Sequence, residues 1–193
     1  MIGDLFRRMS DVERPESLSN RLRNRRFRHF ENLCSRLPRP LSILDIGGTA
    51  EFWEQRGWAD RQDIQITLLN LFPASRIHGR VLSVVGDATD LSGFPDQSVD
   101  IVFSNSVIEH LFDREHQQRM ANEVVRVGRD YWLQTPNWWF PMEPHFQVPL
   151  WQFLPRSLRV RILMKRQCGR RGPCGTREEA ERLIDEVSLL TRG

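Results

Sequence analysis

The sequence predicts a doubly wound α/β sheet, and three observations lead there. Five short runs of near-continuous apolar character recur through the middle of the chain, as strands buried on both faces of a parallel sheet require. Helical patterns lie between several of these runs, and strand-helix alternation is the signature of the class. The residues with binding or acid-base chemistry cluster at the ends of the runs, where ligands sit in open α/β sheets.

The elements follow in order. Phe27, Phe30, Leu33, Cys34 and Leu37 share one helical face, and Arg21, Arg25, Arg28, Asn32 and Arg36 share the other. This predicts an amphipathic helix that ends at Pro38. The five strands are predicted at Ser42 to Ile46, Ile64 to Asn70, Val81 to Gly86, Val99 to Ser104 and Tyr131 to Thr135. A helix is predicted from Asp113, its N-cap, to Val127, with Met120, Val124 and Val127 on one face. Thr176-Arg177-Glu178-Glu179 is a capping-box pattern. Ala180, Leu183, Ile184 and Val187 extend it as an amphipathic helix. The expected organisation is a basic helical segment over residues 1–40, a sheet core over 41–149 and a basic, helical extension over 150–193.

Composition narrows the class. The 193 residues suffice for one domain with a real core. No apolar run is long enough to span a bilayer, and residues 1–10 lack the pattern of a secretory signal, so a cytoplasmic protein is expected. Cys34, Cys168 and Cys174 are not spaced as a metal-binding pair, and reduced thiols are expected. Charge is uneven: Arg14 to Arg39 holds eight arginines and two acids, and Arg156 to Arg171 holds seven bases and no acid. Such segments suit either an anionic partner, including a membrane surface met peripherally, or merely a solvated face. Nucleic acid is not an expected partner. Along Leu150 to Arg166 the apolar and basic residues are mixed, whereas a membrane-surface helix would segregate them.

The strand ends carry the functional signal. Asp45-Ile46-Gly47-Gly48-Thr49 closes the first run, and glycine there permits close approach of backbone to a ligand. The spacing does not supply the G-x-G-x-x-G of a dinucleotide site. Asn70, followed by Leu71, ends the second run, Gly86-Asp87-Ala88-Thr89 the third, and Ser104-Asn105-Ser106-Val107-Ile108-Glu109-His110 the fourth. Each also has a plainer reading as a turn or cap. In this order and spacing the motifs from Leu41 to Pro149 resemble class I S-adenosylmethionine (SAM)-dependent methyltransferases. The nearest branch is similar to the small-molecule type that includes quinone-biosynthesis enzymes.

The resemblance implies a Rossmann-like sheet of order 3-2-1-4-5 and SAM as cofactor. It implies that Asp45, Gly47, Gly48 and Thr49 hold the amino-acid portion, and that Asn70 with Leu71 meets the ribose. Asp87 and Ala88 would read the adenine, and Ser104 and Asn105 would line the cleft near the methyl group. An acid is usual at position 70. Asn offers one acceptor and an amide that only donates, so a carboxylate there is expected to match or improve cofactor affinity. The family's sheet continues with two more strands, but no comparable run follows Asn137, so the terminal hairpin is expected to be missing.

His110 is the best candidate general base, since its ordinary pKa lies near neutrality, with Glu109 beside it. Glu143 and His145 are a second acid-base option, too few and too poorly spaced to argue a metal site. The Trp138 to Phe146 loop is rich in aromatics and proline and suits either an apolar acceptor wall or simple packing. The expected function is methyl transfer to a small molecule, with oxygen the preferred acceptor. The alternative is a non-catalytic SAM-binding module acting through its basic surfaces.

Overall fold

A computed structural model describes residues 18–111, 113–169 and 171–191. The chain forms two compact units, residues 1–41 and 42–193.

Among its described residues the first unit has one helix, α1 (Leu18–Cys34). Phe27, Phe30 and Cys34 are buried, while Arg25, Arg28, Asn32 and Arg36 are exposed, as the periodicity requires. The helix stops one turn short of Pro38. Arg36 and Leu37 donate their N–H groups to the carbonyls three residues back, which tightens the last turn before the proline. Residue 21 of the predicted polar face has no described side chain, and Arg14 lies outside the described residues.

The second unit is built on β1 (Leu41–Ile46), α2 (Ala50–Glu54), β2 (Ile64–Asn70), β3 (Val81–Val85), β4 (Val99–Asn105), α3 (Arg114–Val127) and β5 (Gly128–Gln134). The five strands form one sheet in the order β3-β2-β1-β4-β5. The described pairings β1–β4, β2–β3 and β4–β5 are parallel. The expected order is therefore found, and the strand limits differ from those expected by at most a few residues. Helices are sparser than the alternation suggested: neither the β2–β3 nor the β3–β4 connection contains one. Pro73 and Gly79 interrupt the first of these, and Gly93 and Pro95 the second.

Alternation along the strands divides the core. Leu44, Ile46 and Val102 face α3 and pack with Met120, Val124 and Val127. Phe103 faces the opposite way, with its ring centroid 5.2 Å from that of Trp53. At the N-terminal ends of the strands, Asp100 ties three of them together. Its carboxylate accepts from the Ser42 N–H (2.8 Å) and hydroxyl (2.7 Å) and from the Arg129 guanidinium (2.8 Å). Hydrogen bonds from Ser42 and Arg129 outweigh desolvation and hold the Asp100 pKa below the usual carboxylate range. The Asp113 side chain caps α3 by accepting from the His116 N–H at 2.9 Å.

Among the described residues no further strand joins this sheet after β5. β6 (Met142–Glu143) and β7 (Val148–Pro149) pair only with each other, antiparallel, so β5 is an edge. The tail instead forms a second small core from α4 (Arg156–Lys165) and α5 (Arg177–Asp185), where Val160, Leu163, Ala180 and Ile184 pack with Phe146 and Trp151. The capping box is offset by one residue. Thr176 Oγ1 accepts from the Glu179 N–H, but the Glu179 carboxylate accepts from Gly175. Val187 falls beyond the end of α5. The three cysteines are buried and none forms a disulfide. No helix among the described residues is long and apolar enough to cross a membrane.

Met120 is fully buried at the centre of the α3 contact. Met120→Ala should lower unfolding free energy by about 2–5 kcal/mol in urea titrations. Val125→Ala, on the exposed side of the same helix, should change it by less than about 0.5 kcal/mol.

Candidate active site

The site has two parts, both at the carboxyl ends of the strands. The first is a cleft of about 440 Å³ over β1, β2 and β3. Gly47, Gly48 and Thr49 line it, together with Asn70, Leu71, Asp87 and Ala88. Seven of the residues expected to meet the cofactor thus converge on one cavity.

Asp45 is placed differently. Its carboxyl is buried beneath the loop rather than in the cleft, and it accepts a hydrogen bond from Trp53 Nε1 at 2.7 Å. Burial pushes the Asp45 pKa from 3.8 up to about 7, and the indole N–H offsets part of that rise. The loop above has no room for a side chain. A Cβ on Gly48 would lie 1.7 Å from Asp45 Oδ2, and one on Gly47, whose φ is +76°, would lie 2.4 Å from Val107 Cγ2. Asp45 therefore acts on the cleft by shape, as the floor against which the Gly47-Gly48 backbone is laid. Thr49 begins α2, where its hydroxyl accepts from the Phe52 N–H at 3.4 Å.

Asn70 is explained by its amide. Nδ2 donates to the carbonyl of Gly48 at 3.1 Å, which orients the carbonyl oxygen as the group's free acceptor. A carboxylate could not make that bond and would face the Gly48 carbonyl with an oxygen. The expectation that Asp would serve as well here is thereby reversed. Asp87 Oδ1 accepts from both the N–H (2.8 Å) and the hydroxyl (2.9 Å) of Thr89, so the turn and binding readings of Asp87 coexist. The wall beyond Asn70 includes Leu71 and Phe72, both largely exposed. Phe72 had no motif to mark it; an exposed aromatic just past a strand end was its one available signal.

Ser104 and Asn105 do not line this cleft. Ser104 is buried on the sheet, with a hydroxyl that has no hydrogen-bond partner, and Asn105 is exposed. From that stretch, Val107 and Leu111 form the wall instead. Between the strand and this wall the backbone takes a left-handed turn at Ser106, with φ +62°.

The second part gathers Glu109, His110 and His145, whose ligand-capable atoms all lie within 4.8 Å of one another. Glu109 and His110 end a 3₁₀ turn, Ile108–His110. The Glu109 side chain is fully buried: Oε2 accepts from the Thr135 hydroxyl at 2.9 Å, and Oε1 has no partner. His110 Nδ1 lies 3.1 Å from the carbonyl of Glu186, and His145 Nδ1 lies 2.6 Å from Glu143 Oε1. A carbonyl only accepts, so His110 carries its proton on Nδ1. The Glu143 carboxylate holds His145 in the same tautomer. The two rings meet edge to face, 4.9 Å between centroids. The tail secures this cluster, with the Ser188 N–H donating to the Glu109 carbonyl at 2.6 Å. Gln117 Nε2 bridges the carbonyls of Ile108 and Ser188, both at 3.1 Å. Beside it a second cavity, of about 570 Å³, is lined by Glu143, Trp138, Trp151 and Arg159 among others. The aromatic loop divides between these roles: Trp138 lines the cavity, Phe146 is core, and Trp139 and Phe140 are exposed.

Two predictions concern the floor of the cleft. Gly48→Ala should destabilise the protein by about 1–3 kcal/mol, since a buried carboxyl must move. Gly93→Ala, where a Cβ meets nothing within 4 Å, is the control. The raised Asp45 pKa means that the folded protein binds more protons than the unfolded chain between pH 3.8 and about 7. This group's contribution to stability therefore falls as pH rises through that window, and the penalty is complete above it. From the three-unit shift it is on the order of 4 kcal/mol. Asp45→Asn should flatten that part of the pH-stability curve, measured by urea titration from pH 4 to 8.

Comparison with known proteins agrees with this geometry. Residues 46–130 match the family described as a methyltransferase domain. Two uncharacterized proteins of Mycobacterium tuberculosis, from strains CDC 1551 / Oshkosh and ATCC 25618 / H37Rv, are 34% identical over 77 residues. That stretch is 40% of this chain and 26% of each relative, so the match spans about a quarter of their length. A crystal structure of a putative methyltransferase from an antibiotic biosynthesis pathway of Anabaena variabilis ATCC 29413 is also similar. It has a TM-score of 0.48 and 22% identity, over 72% of this chain and 60% of that one. None of these matches singles out the quinone-biosynthesis branch. Over residues 46–130 the chain is similar to the methyltransferase-domain family.

Proposed function

We propose that the protein transfers a methyl group from SAM to a small-molecule acceptor, with oxygen as the receiving atom. The observation that carries this is the convergence of Gly47, Gly48, Asn70, Asp87 and Ala88 on one cleft, with Val107 and Leu111 forming its wall beside the Glu109–His110 turn.

In this reading the cofactor supplies an electrophilic methyl on a sulfonium. The Gly47-Gly48 backbone lies close to the amino-acid portion. The Asn70 carbonyl oxygen accepts from the ribose, oriented by the bond from its amide to Gly48. Asp87 Oδ2 accepts from the adenine amino group, and Leu71 and Phe72 cover the base. Transfer is an in-line displacement, and the protein's main contribution is alignment. The 570 Å³ cavity is of a size to hold an acceptor. His110, with its lone pair on Nε2, takes the acceptor's proton; Glu143, which holds His145, is the member of this group that lines the cavity. Ion pairs weaken the alternative of a non-catalytic basic module. Arg156 pairs with Asp185, Arg171 with Glu186 and Arg177 with Glu181, so part of the tail's basic charge is already neutralised.

S-adenosylhomocysteine at 100 times its Kd should stabilise the protein by about 2.7 kcal/mol, read as a rise in melting temperature. Asp87→Ala and Asn70→Asp should both shrink that rise. With an acceptor in hand, His110→Ala should lower kcat and leave cofactor affinity near that of the parent. No thermal shift with either SAM or S-adenosylhomocysteine would refute the cofactor assignment.

A further inference from the structure

We propose that Glu109, His110 and His145 form a binding site for one divalent transition-metal cation of the zinc type. Three observations converge on it. First, the three ligand-capable atoms already lie within 4.8 Å of one another. Around a four-coordinate zinc at about 2.0–2.1 Å, ligand atoms sit about 3.4 Å apart, so the side chains need close by only about an ångström. Second, both rings have their Nδ1 engaged, His110 by the Glu186 carbonyl and His145 by the Glu143 carboxylate. Each therefore turns the lone pair of Nε2 outward, as a metal requires, and a carboxylate behind a ligating imidazole is the usual support. Third, Glu109 is fully buried with Oε1 unpartnered, while Thr135 holds Oε2. A lone carboxylate oxygen without a donor is costly inside a protein, and a cation is the partner that would relieve it.

Two imidazoles and one carboxylate suit borderline cations better than magnesium or calcium, which prefer all-oxygen sites. His110 is exposed, so a fourth position is left open on the solvent side, the arrangement of a catalytic rather than a structural zinc site. The consequence for chemistry rests on the methyltransferase reading. A cation here would bind the acceptor oxygen and lower its pKa, so that its proton passes to solvent water on the open side instead of to His110, whose lone pair the metal occupies. Binding itself depends on neither cofactor nor turnover.

The test uses the full chain, stripped with chelator and titrated with Co²⁺ as a spectroscopic probe and Zn²⁺ by calorimetry, without SAM. One equivalent should bind, with visible cobalt bands of low coordination number and no thiolate charge-transfer band. His110→Ala, His145→Ala and the near-isosteric Glu109→Gln should each abolish stoichiometric binding. Glu143→Gln, which changes only the support of His145, should weaken it about 10- to 100-fold. Circular dichroism and melting temperature establish that each variant is folded, and Glu109→Gln keeps an acceptor for Thr135. Absence of saturable binding at micromolar metal would overturn the proposal, as would binding indifferent to these substitutions. A strong thiolate band would also overturn it, by placing the metal at Cys168 and Cys174. Burial raises the pKa of both thiols, which opposes that outcome. Failure here with an intact thermal shift by S-adenosylhomocysteine would leave the methyltransferase reading standing.

Discussion

The Asp45 carboxyl lies wholly inside the protein, and the shape of the cofactor cleft depends on how that burial is accommodated. One oxygen is held by the Trp53 indole, and the same oxygen sits where a side chain on Gly48 would have to be. The glycine pair is thus fixed from below by a polar group. It is fixed from the sides by the Gly47 N–H to the Leu69 carbonyl and by the Asn70 amide to the Gly48 carbonyl. Each bond joins β1's loop to β2. The backbone that a ligand would meet is therefore set before any ligand arrives, which is how a binding site lowers the cost of ordering itself.

The acceptor side is held by different means. Its turn, Ile108–His110, belongs to the sheet, but the groups that orient it come from elsewhere. Glu186 sets the His110 tautomer, Ser188 binds the Glu109 carbonyl, and Thr135 occupies one Glu109 oxygen. One half of the site is a property of the sheet's edge, the other of how the C-terminal core docks on it.

This difference explains what could be read from sequence. Parallel strands buried on both faces announce themselves as continuous apolar runs, so the five strands and the cleft over them were legible. Asp45 was legible as a site residue but not as a floor, because a strand's end does not reveal which way its last polar side chain turns. Ser104 and Asn105 were misplaced because both lie within β4, and a strand's end does not reveal which of its last side chains face the core. Glu109, His110 and His145 were each legible as acid-base candidates, but their convergence was not. His145 lies 35 residues from His110, and Glu186 and Ser188, which help hold the cluster, belong to no motif. Helices were expected between several strands, and the crossovers carrying Pro73, Gly79, Gly93 and Pro95 hold none.

The long-range stitching of the acceptor side also orders events in time. The bonds joining His110 to Glu186 and Gln117 to Ser188 span 76 and 71 residues, whereas the Asn70–Gly48 bond spans 22. Closing the larger loops costs more chain entropy and comes later in folding. As the polypeptide leaves the ribosome, the cleft over β1, β2 and β3 can take shape while the residues that fix the Glu109–His110–His145 cluster are still being made. The nascent chain then passes through a stage with a finished cleft and an unassembled cluster beside it.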